Sequence, residues 1–380
     1  MTTTNPEAAI KKLISDPGDV TFCDEVLAWG DAAVPAIVGA LATNQSVPTM
    51  SALLAILRLD DPLATLQPLV ERTDGSVAPA ALGALARVRD TRVLPILTAV
   101  LPDIAAITAI GDHGDASGVD VLRELVEPIV GADGSRMPAS DALSSDWMLS
   151  ELDLAVAVAI AMAKLGDQSL APLVVHLASL TDLDDPERGA TLRVSAMIAL
   201  SYVTAPGVAG ALRKALSDPN EDVISEALRS SLYLGRVSEG EGFIELIRRD
   251  TPLAGIALWY LQAWAGEHPT GNVFKRVDAE SLDHWWRGAS ARFKPGVCYR
   301  AGVPIDIGAL VAQLADDPLH LRDELGIHTG APCFHSDLGG NPVSNTERRA
   351  VESWWRCDAV KFWPGKLHRW GRTFEPSAVD

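Results

Sequence analysis

The sequence predicts an all-α fold: a solenoid of stacked helical hairpins followed by a tryptophan-rich C-terminal module. Three observations carry that prediction. Apolar residues recur with helical spacing through the first 271 positions, turn residues recur about every thirty positions, and one aromatic motif is written twice near the end. The chain has 380 residues, 48% hydrophobic and 22% charged, a balance that suits a large packed core and excludes disorder.

From the N-terminus, "MTTTNPEAAIKKLISDPGDV" lacks a basic segment running into an apolar core, so no export signal is expected. The longest apolar stretch, Leu154 to Ala163, is about half of what a bilayer requires and reads as a buried helix. Cys23, Cys298, Cys333 and Cys357 form no C-x-x-C pair, which with the missing export signal points to a reducing cytoplasm.

Helical stretches rich in Ala and Leu alternate with short turns, as in "VLAWGDAAVPAIVGAL" and "AMAKLGDQSLAPLVVHL". The markers Gly30, Asp60, Arg89, Gly114, Gly166, Ala205, Gly235 and Gly266 are spaced by 30, 29, 25, 52, 39, 30 and 31 residues. Thirty residues hold two helices of about three turns and two tight connections. Eight such hairpins are expected over residues 1–275, with insertions looping off at Gly131 to Ser150 and Thr181 to Gly189. Pro35, Pro95 and Pro172 follow their markers by five or six residues, in the first turn of the second helix, where a missing N–H is tolerated.

This pattern, with its L-G-D turn in "KLGDQSLAPLV", resembles the HEAT-repeat family in its short bacterial form over residues 6 to about 275. The resemblance implies a curved right-handed superhelix whose concave face binds another molecule. It implies no one activity, because such solenoids include scaffolds, inhibitors, bilin lyases and DNA glycosylases.

Residues 276–380 form the second expected domain. "WWRGASARFKPG" from Trp285 and "WWRCDAVKFWPG" from Trp354 align at a constant offset of 69. The match continues through Arg300/Arg369 and Gly302/Gly371, and each copy is a helix, a Pro-Gly turn and a short extended piece. Eight of the ten tryptophans lie from Trp259 onward, where a solenoid's last hairpin needs a cover. The two copies are expected to occupy matching environments with Phe293 and Phe362 buried. Trp285, Trp286, Arg287, Trp354, Trp355 and Arg356 are the candidate partner-binding residues, set against the plainer reading that they are core and cap. The run "YRAGVPIDIGALVAQL…LRDEL" resembles uncharacterised bacterial HEAT-repeat proteins, some linked to type VI secretion genes, and implies an accessory or adaptor role in such a system.

Charge narrows the partners. From Asn272 onward lie 14 of the 32 basic and 14 of the 50 acidic residues, so 18 basic face 36 acidic residues before it. Such a surface repels phosphate backbones and favours a basic protein partner. "HTGAPCFH" brings His328, Cys333 and His335 together in sequence, but with neither a second paired half for zinc nor a nucleophile setting. The glycine-rich segments lack the lysine of a phosphate loop, and the acidic clusters lack calcium-loop spacing. No catalytic residue, cofactor, metal, nucleic acid or membrane insertion is expected; the oligomeric state stays open. The leading expectation is a non-enzymatic, cytoplasmic protein-binding scaffold or adaptor, an accessory or assembly chaperone of a bacterial secretion system. The alternatives are an immunity or inhibitor protein that meets a basic toxin with an acidic surface, and a HEAT-scaffold enzyme acting on nucleic acid or a cofactor.

Overall fold

A computed structural model describes residues 5–16, 20–72, 75–131, 146–180, 186–235, 239–249, 252–266, 279–294, 297, 299–335, 338 and 341–373. Most of these residues are helical, and the strands among them form two short β-hairpins, consistent with an all-α class. No single helix among the described residues is long and apolar enough to cross a membrane. Two compact units are present. The first comprises Met1–Val121, Ile307–Phe362 and Arg369–Arg372; the second comprises Leu122–Asp306, Trp363–His368 and Thr373–Asp380. The boundary expected at 275/276 falls inside the second unit, and the C-terminal module contributes to both.

In the first unit, α2 (Val20–Ala28), α4 (Val47–Ile56), α6 (Val77–Leu85) and α8 (Ile104–His113) lie side by side. Against them pack α1 (Pro6–Ser15), α3 (Val34–Ala42), α5 (Pro62–Val70) and α7 (Val93–Thr98). Leu53, Leu54, Leu82, Leu85, Ile107 and Ile110 fill the space between, and buried Ala52, Ala81 and Ala109 keep the helices close. Side chains close the helix starts: Asp61 accepts from Ala64 N (3.1 Å) and Asp103 from Ala105 N (2.7 Å), each such cap contributing about 1 kcal/mol. Neighbouring turns are tied where Asp31 accepts from Asp60 N at 3.2 Å.

Three later helices belong to this unit: α18 (Ile307–Gln313), α19 (Pro318–Thr329) and α20 (Asn345–Asp358). The start of α20 is held by Asp24 of α2. Its carboxylate accepts from N and Nδ2 of Asn345 (3.2 and 3.1 Å) and from N and Oγ1 of Thr346 (3.1 and 2.9 Å). Arg87 Nη1 donates to Pro332 O at 3.0 Å, fixing the segment before α20 on the end of α6.

In the second unit, α10 (Asp146–Leu165), α12 (Pro186–Leu200), α14 (Glu221–Tyr233) and α16 (Ala254–Ala265) lie side by side. α11 (Ala171–Ala178), α13 (Val208–Ala215) and α15 (Gly240–Arg248) pack against them, and α17 (Ala279–Ser290) packs on α15. A buried ion pair, Arg193 Nε to Asp218 Oδ2 at 2.8 Å, and a bond from Ser201 to Ser230 at 2.9 Å connect successive hairpins.

Each marker from Gly30 to Gly235 separates two helices, the fourth being α8 from α9 (Gly118–Val130). Both insertions are shorter than expected. Residues 146–150 already belong to α10, and Pro186 to Gly189 form the first turn of α12, because Pro at the first helical position followed by Glu187 is a helix start. Residues 132–145 and 181–185 of the insertions lie outside the described residues.

Candidate functional site

The doubled motif builds two copies of one module, and each copy includes the helix that precedes the motif. α16 and α19 are both twelve residues long and end in left-handed glycines, Gly266 (φ 74°) and Gly330 (φ 59°). A two-residue hairpin follows in each copy. β1 (Tyr299–Arg300) and β2 (Val303–Pro304) are joined by Ala301 (φ 51°) and Gly302 (φ 74°). β3 (His368–Arg369) and β4 (Arg372–Thr373) are joined by Trp370 (φ 49°) and Gly371 (φ 73°). Positive φ at both central positions gives a type I′ turn, which matches strand twist.

The turns dock on helix ends. Ala301 N and Gly302 N donate to Ala263 O and Trp264 O, both at 2.6 Å; Trp370 N and Gly371 N donate to Ile327 O and His328 O at 2.8 and 3.0 Å. These carbonyls stand in the last helical turn, where no later N–H of the helix reaches them. The approach leaves no room for side chains: a Cβ on Gly266 would lie 2.4 Å from Ala301 O, and one on Gly371 would lie 2.8 Å from Thr329 O.

The six candidate residues have unequal surroundings. Paired rings are similar, Trp285–Trp286 at 5.9 Å and 44° and Trp354–Trp355 at 5.6 Å and 47°. Arg287 Nε and Arg356 Nε each donate to the carbonyl four residues back, Asp283 O and Glu352 O, at 3.3 Å, and both side chains are exposed. Trp286, however, is 2% exposed; it fills a slot over Gly240, where a Cβ would meet its ring at 2.0 Å, and lies 6.4 Å from Trp264. It offers no surface to a partner. Trp285, Trp354 and Trp355 are half-buried, Trp354 edge-on to Phe334 (5.2 Å) and Trp355 stacked on Phe362 (6.1 Å, 22°). Phe293 and Phe362 are half-buried rather than buried, because aromatic neighbours cover only part of each ring: Trp286 and Tyr299 for Phe293, Trp354 and Trp355 for Phe362.

Inside, the copies diverge. Where α16 carries Trp259, Tyr260 and Trp264, the aligned positions of α19 are Asp323, Glu324 and His328. Arg300 lies over the Trp259 ring at 5.9 Å, whereas Arg369 Nη1 contacts His328 Nδ1 at 2.7 Å. Guanidinium only donates, so Nδ1 of His328 accepts, and Nε2 faces Glu324 Oε1 at 3.8 Å. Arg322 forms a buried bidentate pair with Glu347 (2.7 and 2.9 Å) and donates to Asn341 O (2.7 Å).

Burial pushes the Cys333 thiol up to about 12, and burial next to Arg87 and Arg322 holds His335 well below the ordinary histidine value. A thiol protonated throughout the neutral range is a poor nucleophile. Among the described residues no three His, Cys, Asp or Glu side chains converge as a metal site.

Outside, one segment stands apart. Val360 is 82% exposed and Trp363 68% exposed; the aligned residues of the first copy are Ala291 and Lys294. Arg348, Arg349, Arg356 and Lys361 are exposed on α20 and the turn after it. Sequence reading singled out what the copies share, and missed Val360 and Trp363 because the signal lies in what they do not share. No protein-family model and no curated protein matches this chain.

Proposed function

We propose that the protein is a non-enzymatic protein-binding scaffold or adaptor, built as a HEAT-like solenoid, in which the second copy of the aromatic module is a docking element. One observation carries this reading. Two copies share a framework, yet where the first has Ala291 and Lys294 the second exposes Val360 and Trp363, so the shared framework does not require them. Exposed tryptophan is enriched at binding hot spots. The acidic excess before Asn272 supports a basic partner on the hairpin surface, and the resemblance of residues 283–345 to secretion-linked HEAT-repeat proteins supports an accessory role in a bacterial secretion system. The same excess supports a second reading, an inhibitor of a basic toxin.

The test is affinity capture from native lysate with the full chain and with Val360→Asp/Trp363→Asp as bait, followed by mass spectrometry. Proteins retained by the parent and lost from the variant, at unchanged melting temperature, are expected. Identical retention by both baits would remove the docking element from the reading.

A further inference from the structure

We propose that the exposed face of α20 docks on a second copy of this chain, at the acidic turns around Trp29. The inference rests on the reading of the second module as a docking element and names its occupant. Arg349, Glu352, Arg356 and Val360 follow one another at steps of three and four residues, so they line one side of α20 and the turn that extends it, with Lys361 beside them. All five are exposed. Glu352 is the one acidic member, Lys361 is paired with Asp358, and Arg349 and Arg356 give the face its basic character up to an aliphatic tip.

The complementary surface belongs to the same chain. Trp29 is 39% exposed at the end of α2. Asp31 follows it two residues on, and Asp31 holds the backbone of Asp60 at 3.2 Å, which brings Asp60 and Asp61 of the next turn alongside. The three aspartates are exposed. One surface is therefore an aliphatic side chain one turn from Arg356, with Arg349 two turns further on, and the other an aromatic ring with carboxylates in its own turn and the next. Apolar tip against apolar ring, with opposite charges around them, is the arrangement of a specific interface. When a surface and its complement lie on one chain, a twofold pair satisfies both contacts twice. In that pair Val360 meets the partner's Trp29, and Arg356 meets the partner's Asp60.

Sedimentation velocity of the full chain tests this over roughly 1 to 100 μM, at about 50 mM and about 500 mM salt. A species of twice the 40.4 kDa chain mass is expected at low salt, weakening as salt rises. Arg356→Glu and Asp60→Arg should each weaken the dimer about tenfold or more, and the two together should return it to within about threefold of the parent. The Asp60 side chain caps no helix, so its replacement leaves the turn intact, and circular dichroism melting checks both variants. A parent that stays monomeric at every concentration overturns the inference, as does a combined variant no better than the weaker single one. If the parent is monomeric while Val360→Asp/Trp363→Asp still loses captured proteins, self-association falls and the docking element stands.

Discussion

The two copies of the aromatic module solve one backbone problem with different interiors. In the first, α16 presents Trp259, Tyr260 and Trp264, and Trp286 closes over Trp264 in the slot at Gly240. In the second, α19 presents Asp323, Glu324 and His328, and the interior is held by Arg369 on His328 and Arg322 on Glu347. The hairpin turn caps the helix identically in both. Backbone hydrogen bonds and left-handed glycines therefore define the module, while the side chains that fill it are exchangeable between stacking and ion pairing. An aromatic interior gains by area removed from water. An ionic interior gains little net energy, but its failure is severe, since an uncompensated buried charge remains.

The largest expected effect breaks the second copy alone. Arg322→Met leaves Glu347 buried without its guanidinium and should cost about 3–5 kcal/mol in chemical denaturation, whereas adding Glu347→Leu should recover most of the loss. The first copy has Leu258 at the position of Arg322, so an apolar residue already stands at the guanidinium's place in the shared framework. Trp286→Ala comes next, at about 3–5 kcal/mol for a fully buried ring, against roughly half of that for half-buried Trp355→Ala. Equal losses would show that the two tryptophans are energetically equivalent despite their unequal burial.

Acid should separate the copies further. His335 takes up a proton far less readily in the fold than in the unfolded chain, so its contribution is complete above the ordinary histidine value of about 6.5 and is lost as pH falls below it. The slope is about 1.4 kcal/mol per pH unit until the folded-state value is reached, and His335→Leu should flatten it in denaturation series from neutral to acid pH. The smallest effect is one of opposite signs. Ala301→Asn places a residue suited to positive φ in the first turn and should stabilise by about 0.5–1 kcal/mol, read as a higher melting temperature. Trp370→Asn gains the same backbone ease but loses the ring packed on Gly330, for a net loss of about 1 kcal/mol.

The helical hairpins and the doubled motif were legible because glycine, proline and tryptophan at fixed spacing leave few alternatives. The pairing of α16 with α19 was not: over the aligned positions 254–266 and 318–330 the two share only Leu261/Leu325 and Gly266/Gly330, one core contact and one left-handed cap. Geometry was kept there while chemistry drifted. Among the candidate site residues, Trp286 illustrates a second limit. Two adjacent tryptophans on a helix point about 100° apart, but which one is enclosed depends on Gly240, a small residue distant in sequence whose role has no local signature. Asp24 at the head of α20 illustrates a third, since a capping carboxylate supplied from 321 positions away follows no periodicity.

That same Asp24 contact has a consequence for the newborn chain. α1 to α8 emerge from the ribosome long before α20, and the intervening residues 122–306 take roughly 10–40 s to synthesise. During that interval Asp24 and Arg87 wait without Asn345, Thr346 and Pro332, and the surface that α20 later covers is open to whatever else the cell presents. Completion of the first unit is thereby timed by translation of the whole chain.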